Sequence, residues 1–357
     1  MTDPSLKTCF FLGANSSKGF LSLYEQWIDQ TQVRAFYILK GGAGCGKSTL
    51  MKAVAESAEE LGEAVEYISC SGDPDSLDGV YLPGKRTAMA DGTAPHRLDP
   101  VYPGATGHYV NLGEGYNRRL LAEYREEVIA ETRAYRSSYD KAYRKLRAAA
   151  DALQKGRAPM MTQESAAAGE EQAKSLFARE CKISLQKKGR RIRRFLGGPT
   201  CQGDLFLDGT VRHLCKRGYQ FRDELCLAYT VLEPLEKEFL SHGYDVISCP
   251  NPYFPEQLAH VLIPELSLAF VSGEMPESEY AVIGTEDLAA PAVLRENRFF
   301  FQEAFLKASE LNQEGIRFLV QAKKYHDRLE QIYRPFVDFS FAERWTAEIR
   351  EELELAK

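Results

Sequence analysis

Residues 41–48 read Gly-Gly-Ala-Gly-Cys-Gly-Lys-Ser, a full match to the pattern G-x-x-x-x-G-K-[ST]. The chemistry this spacing serves is the binding of a polyphosphate. Glycines let successive backbone N–H groups turn inward around phosphate oxygens. Lys47 is a point charge that reaches β- and γ-phosphates, and the Ser48 hydroxyl can ligate Mg²⁺. Gly41, Gly42, Ala43, Gly44, Cys45, Gly46, Lys47, Ser48 and Thr49 are therefore the expected nucleotide contacts. Cys45 is expected to be a small filler with its side chain turned away.

Two sets of carboxylates complete the expected site. Asp91 closes an apolar stretch and is read, with Ser48, as a metal-associated group. The competing reading is a turn aspartate ahead of Gly92. The segment Asp73-Pro74-Asp75-Ser76-Leu77-Asp78-Gly79 offers a carboxylate to orient water. Asp73 and Asp75, with Lys47, are the candidate catalytic residues, and Asp78 is a further option. Here the competing reading is an acidic turn shaped by Pro74 and Gly79.

The elements that must position these groups are legible around them. Ala35-Phe36-Tyr37-Ile38-Leu39 is a short apolar run, read as a buried strand. The helix formers after the loop run toward Gly62, so the helix N-terminus points its free N–H groups at the phosphates. Residues 64–70 and 87–90 read as further strands. Strands alternating with helices predict an α/β fold built on a parallel sheet flanked by helices, with ligands at the strands' C-terminal edge.

Composition bounds the rest. The chain has 357 residues, so one large domain or two to three smaller ones fit. Its 44% hydrophobic and 27% charged residues are ordinary for a globular protein, and a net charge of −6 argues against a general nucleic-acid-binding surface. The sequence contains no apolar run long enough to span a membrane, and residues 1–7 carry no apolar signal core. Eight scattered cysteines without a C-x-x-C pair fit free thiols in a reducing, cytoplasmic setting.

From Leu121 an apolar stripe (Tyr124, Val128, Thr132, Tyr135, Tyr139, Ala142, Leu146) marks a long amphipathic helix. Residues 155–169 turn low in large apolar side chains, as a linker or a loose helix does. Residues 187–194 form a basic run, read as a solvated strand edge or connector more than as a phosphate or nucleic-acid site.

The chain also repeats itself. Phe11-Leu12-Gly13 with Gly19 recurs as Phe195-Leu196-Gly197 with Gly203, and Ile68-Ser69-Cys70 recurs as Ile247-Ser248-Cys249. Leu77, Val80, Leu82 and Pro83 have counterparts in Leu258, Val261, Ile263 and Pro264. A second long helical stretch runs from Phe300 to Ile332. Where the second copy should carry its phosphate loop, it reads Arg222-Asp223-Glu224-Leu225-Cys226-Leu227-Ala228-Tyr229, and Ser272 stands at the Asp91 position. Asp223 and Glu224 are expected to repel phosphate. The expected layout is a nucleotide-binding domain over 1–115, a long helix and linker over 116–190, a degenerate α/β copy over 191–275 and a helical region over 276–357.

Residues 37–42, 73–79, 91–96, Asp99-Pro100, Tyr102-Pro103-Gly104, 322–330 and Asp338-Phe339 together resemble an uncharacterised bacterial family of tandem P-loop proteins, labelled as predicted ATPases or nucleotide kinases. That resemblance covers nearly the whole chain. The family often carries a phosphate loop in both halves; this chain departs from it in the second.

The resulting expectation is an Mg²⁺-dependent ATPase with one site in the N-terminal half. A small-molecule or nucleotide kinase, with Asp73, Asp75 or His96 as base, and a non-hydrolysing switch are the alternatives. No [NT]-K-x-D motif occurs, which leaves ATP rather than GTP as the expected nucleotide. The striped helices leave a homo-oligomer open.

Overall fold

The computed structural model describes residues 7–276 and 278–355. Residues 1–6, part of the stretch read as lacking a signal core, lie outside the described residues.

The first half comprises β1 (Thr8–Phe10), a hairpin of β2 (Gly13–Ser16) and β3 (Gly19–Ser22), β4 (Ala35–Lys40), α1 (Lys47–Glu60), β5 (Glu66–Ser69), β6 (Leu77–Leu82), β7 (Thr87–Asp91) and β8 (Gly107–Asn111). Strands alternate their side chains between faces. Ala35, Tyr37 and Leu39 of β4 therefore join one core with α1, while Phe36 and Ile38 join another on the opposite face. Burial on both faces is why β4 reads as a continuous apolar run.

The sheet order is β1-β5-β6-β7-β4-β8. It is mixed, which corrects the expectation of a parallel sheet. β6 runs antiparallel to both β5 and β7, and the other pairs are parallel. The reason is connection length. Residues 70–76 close on themselves (Cys70 N–H to Ser76 O, 3.0 Å), as do residues 83–86 (Arg86 N–H to Pro83 O, 3.1 Å). Links this short join only antiparallel strands.

There follow α2 (Arg118–Leu121), α3 (Arg125–Arg157) and α4 (Gln163–Glu180). Much of the residue range read as a linker or loose helix is thus ordered, and α4 begins at a reciprocal cap between Thr162 and Ser165. The second half contains β9 (Arg191–Arg193), β10 (Gly197–Thr200), β11 (Gly203–Phe206), α5 (Asp208–Leu214), β12 (Arg217–Arg222), α6 (Tyr229–Ser241), β13 (Val246–Pro250), β14 (Leu258–Ile263), β15 (Leu268–Ser272) and β16 (Ala281–Gly284). Its helices α7 (Pro291–Tyr333) and α8 (Ser340–Glu352) end the described chain. The order β9-β13-β14-β15-β12-β16 repeats that of the first sheet, with the same antiparallel strand in the middle. The two halves are similar, as the repeat predicts.

They meet symmetrically. Phe11 and its counterpart Phe195 exchange backbone hydrogen bonds, each N–H donating to the other's carbonyl at 2.9 Å. A residue paired antiparallel with its own counterpart marks a local twofold relation. The facing sides of both sheets share one core, which includes Phe36, Ile38, Cys249 and Val271.

The helices then cross over. α3 and α7 run antiparallel, with Lys145 paired to Glu314 at 2.5 Å and Arg328 to Glu131 at 3.7 Å. Gly315 lies against Leu146, where its missing side chain lets the helices close. Beyond this pair, α4 packs on α6 of the other half, through Ala173 and Leu176 against residues such as Val231 and Phe239. Reciprocally, α8 packs on α1 through Ile349, Leu353 and Leu355. Each sheet's outer helix is covered by the opposite half.

The basic run is largely consumed by intramolecular pairs: Arg190 with Asp245 (2.6 Å), Arg191 with Glu236 (2.7 Å), Arg194 with Glu66 (2.9 Å) and Lys187 with Glu265 (2.5 Å). These pairs link β9 and its flanks to β5, to α6 and to the turns before β13 and after β14. Among the described residues, no helix is long and apolar enough to cross a membrane.

A tight point of the crossover is Gly169, where an added Cβ would stand 2.6 Å from Thr230 Cβ. Gly169→Leu should overpack the α4–α6 contact and destabilise the chain by about 2 kcal/mol, read as a lower urea midpoint at unchanged slope.

Candidate functional site

The loop at residues 41–46 links β4 to α1 at the C-terminal edge of the first sheet. Gly44 (φ 69°) and Gly46 (φ 95°) adopt left-handed conformations that residues with a Cβ avoid. Gly46 is the N-cap of α1, so Lys47 is its first helical residue. Lys47 Nζ folds back to donate to the carbonyls of Gly41 (2.7 Å) and Gly42 (2.8 Å), and it stands 3.6 Å from Asp91 Oδ2.

Asp91 ends β7 and lies in register beside Leu39 of β4. Its Oδ1 accepts the Thr93 N–H at 2.8 Å, an aspartate turn, while Oδ2 faces Lys47. The turn reading of Asp91 describes Oδ1. The Thr93 hydroxyl also reaches both the Gly41 carbonyl, at 3.0 Å, and Asp91. Ser48 Oγ accepts the Leu77 N–H at 2.9 Å, tying the start of α1 to the acidic loop. Cys45 is buried in the core with Val110 and Leu112, its sulfur 3.7 Å from Lys47 Nζ. Gly42 donates its N–H to the Tyr116 hydroxyl at 2.6 Å.

The three carboxylates of the acidic loop part company. Asp73 accepts from Ser76 Oγ (2.9 Å) and pairs with Lys323 of α7 (3.4 Å). Asp75 turns to Gln202 of the second half (3.0 Å). Asp78, on β6, is buried between the Tyr24 hydroxyl (3.0 Å) and His96 Nε2 (3.2 Å). Burial opposes charge on Asp78, but His96 and the hydrogen bonds it receives hold its pKa below the usual carboxylate value. Burial likewise opposes charge on His96, yet Asp78 outweighs it and raises the imidazole pKa. Among the described residues, His96 Nδ1 has no hydrogen-bond partner.

Residues from the second half close around the loop. A Cβ on Gly44 would stand 3.3 Å from Glu330 Cα, and one on Gly42 would stand 4.0 Å from the Tyr333 ring. Beside the start of α1, a cavity of about 470 Å³ opens between α1 and α8, lined in part by Gly46, Thr49, Arg334, Phe339, Glu343 and Arg350. Sequence reasoning met Glu330 and Phe339 only in the family resemblance, gave them no place at the loop, and did not name Tyr333 or Arg334, because only the helix crossover brings them here. Among the described residues, the side chains grouped closely enough to hold a metal ion are His326, Asp327 and Glu330 on α7, all half-buried.

The second half presents the same location in another state. Asp223, just after β12, accepts the N–H groups of Leu227 (2.7 Å) and Ala228 (3.0 Å) at the start of α6, and the Ser272 hydroxyl at 3.2 Å. Burial raises its pKa, and those two N–H groups partly offset this. The carboxylate is not merely a group that would repel phosphate. It occupies the N–H cluster itself. Arg157, arriving from α3, donates to the Cys226 carbonyl of the same loop at 2.9 Å.

Residues 20–79 match a family described as Nephrocystin 3, N-terminal; the match runs from β3 through the glycine loop and α1 into β6. No curated protein and no solved structure matches the chain.

Two outcomes follow. Asp223→Ala orphans two buried N–H groups and should cost about 2–3 kcal/mol in denaturant unfolding. The Asp78–His96 pair predicts a pH-dependent loss. The lowered Asp78 pKa adds stability above about pH 4, lost as pH falls through its folded value. The raised His96 pKa adds stability below about pH 6.5, lost as pH rises through its folded value. His96→Gln should therefore cost most between those limits, roughly 3 kcal/mol, and less at pH 9.

Proposed function

We propose that residues 41–48 form a phosphate-binding loop for ATP with Mg²⁺, and that the chain is an Mg²⁺-dependent ATPase with one active site, in its N-terminal half. The observation that carries this reading is Lys47 standing beside Asp91 at a loop with two left-handed glycines, with Ser48 next along the helix that the loop opens. Lys47 donates to two loop carbonyls and stands near the Cys45 sulfur and Asp91, and phosphate oxygens can take the place of the carbonyls. Ser48 Oγ and Asp91 Oδ2 are oxygen donors of the kind Mg²⁺ takes. Bound there, the ion would neutralise phosphate charge.

The protein's own groups carry the remaining work. Backbone N–H groups and Lys47 bind and orient the phosphates. Asp73 is the stronger candidate to hold the attacking water. Asp75 is committed to Gln202, and Asp78 is enclosed with Tyr24 and His96. Asp223 supports a single site per chain, because it fills the second half's loop. A nucleotide-dependent switch without turnover is the second reading, favoured by the seating of α7 against Gly44.

Calorimetry should give one ATP per chain. Lys47→Ala should lower phosphate release about 100-fold or more and abolish tight binding. Asp91→Asn should reduce Mg²⁺-dependent turnover about tenfold or more while changing nucleotide affinity little. Unaltered ATP binding in Lys47→Ala overturns the site. Tight binding without phosphate release in the wild type favours the switch.

A further inference from the structure

The cavity between α1 and α8 has no counterpart in the rest of the site's chemistry, and the molecule carries its own comparison for it. Gly62 and Gly243 end α1 and α6 in the same left-handed turn. Counting back from each, Thr49 and Thr230 occupy the same helical position. Thr230 is buried, with Gly169 of the crossing helix α4 pressed onto it. Thr49 instead lines the open cavity, with the crossing helix α8 standing off. So the crossing helix closes on the helix start in the half whose loop is filled by its own carboxylate. It leaves about 470 Å³ in the half whose loop is free.

We infer that this cavity receives the nucleoside end of the bound nucleotide, with the base lying against Phe339. This rests on the phosphate-loop reading and adds where the rest of the ligand goes. The volume falls within the range of small-molecule pockets. The cavity is continuous with the loop at Gly46, where a Cβ would stand 3.8 Å from the Phe339 ring and 3.4 Å from Ala342 Cβ. A phosphate chain seated on the loop would thus enter beside that aromatic face. The Phe339 ring is partly exposed and offers a face to any flat heterocycle. Arg334 lines the same space and makes no ion pair among the described residues, which suits the phosphate nearest the sugar. Phe339 and Arg334 both belong to the second half. The ligand would therefore bridge the halves: phosphates on the first, base on the second.

Inorganic tripolyphosphate separates the two parts, because it uses the loop and not the cavity. The full chain, with Mg²⁺, is titrated with ATP and with tripolyphosphate. Phe339→Ala should weaken ATP roughly tenfold, the worth of one base–aromatic stack, and leave tripolyphosphate within about twofold. Phe339→Tyr should restore ATP. Ala347→Trp, which fills the cavity one turn and more further along α8, should abolish ATP binding and spare tripolyphosphate. Thermal unfolding checks that each variant is folded, and the exposed Phe339 keeps the test available should Ala347→Trp not fold. Equal weakening of both ligands by Phe339→Ala, or no effect on either, overturns the inference alone. A wild type that binds neither ligand overturns the phosphate-loop reading and this one with it.

Discussion

The antiparallel packing of α3 on α7 is the contact on which the rest of the architecture depends. It carries each half's terminal helix across to the opposite sheet, so α1 is covered by α8 and α6 by α4. Without that exchange each sheet would expose the apolar side of its outer helix, and the hydrophobic effect would favour any partner that covered it. The exchange also decides what surrounds the glycine loop. Tyr333 and Glu330 sit against it because α7 ends there, and Phe339 faces α1 because α8 follows.

The two halves solve one electrostatic problem twice. A helix start after a buried strand leaves backbone N–H groups converging on a point, and that point favours an anion. In the second half the protein supplies the anion from its own chain, at Asp223, and hydroxyls complete its shell. In the first half the loop is built of glycines, the Gly42 N–H donates to the Tyr116 hydroxyl, and Lys47 rests on nearby carbonyls with Asp91 beside it. Burial makes the internal carboxylate costly, as its raised pKa records. The cost is met because both N–H groups would otherwise be unpaired.

Much of this was legible in the chain because it is local. The apolar run at β4, the glycine pattern and the helix after it specify the loop through nearest neighbours, and the Phe-Leu-Gly and Ile-Ser-Cys echoes disclose the duplication. The mixed sheet was less visible. β6 carries Asp78 and Gly79 at positions that read as loop, yet Gly79 makes room for the Trp27 ring and Asp78 is enclosed by His96 from a distant segment. The contacts of Glu330, Tyr333 and Phe339 were not legible at all. Each lies far along the chain from the loop it borders, and only the helix crossing, a tertiary fact, sets that proximity. The basic run, read as a strand edge or connector, does supply the edge strand β9, but its carboxylate partners were not legible because they are scattered over distant segments.

The exchange of hydrogen bonds between Phe11 and Phe195 gives the chain the internal geometry of a symmetric dimer made from one polypeptide. Two identical subunits in this arrangement would share every substitution. A carboxylate that sealed one loop would seal both, and a glycine pressed onto one helix start would close both grooves. A covalent link between the copies removes that obligation. One copy is free to become a closed, self-satisfied platform, while the other keeps its polar cleft and borrows the platform's helices as walls.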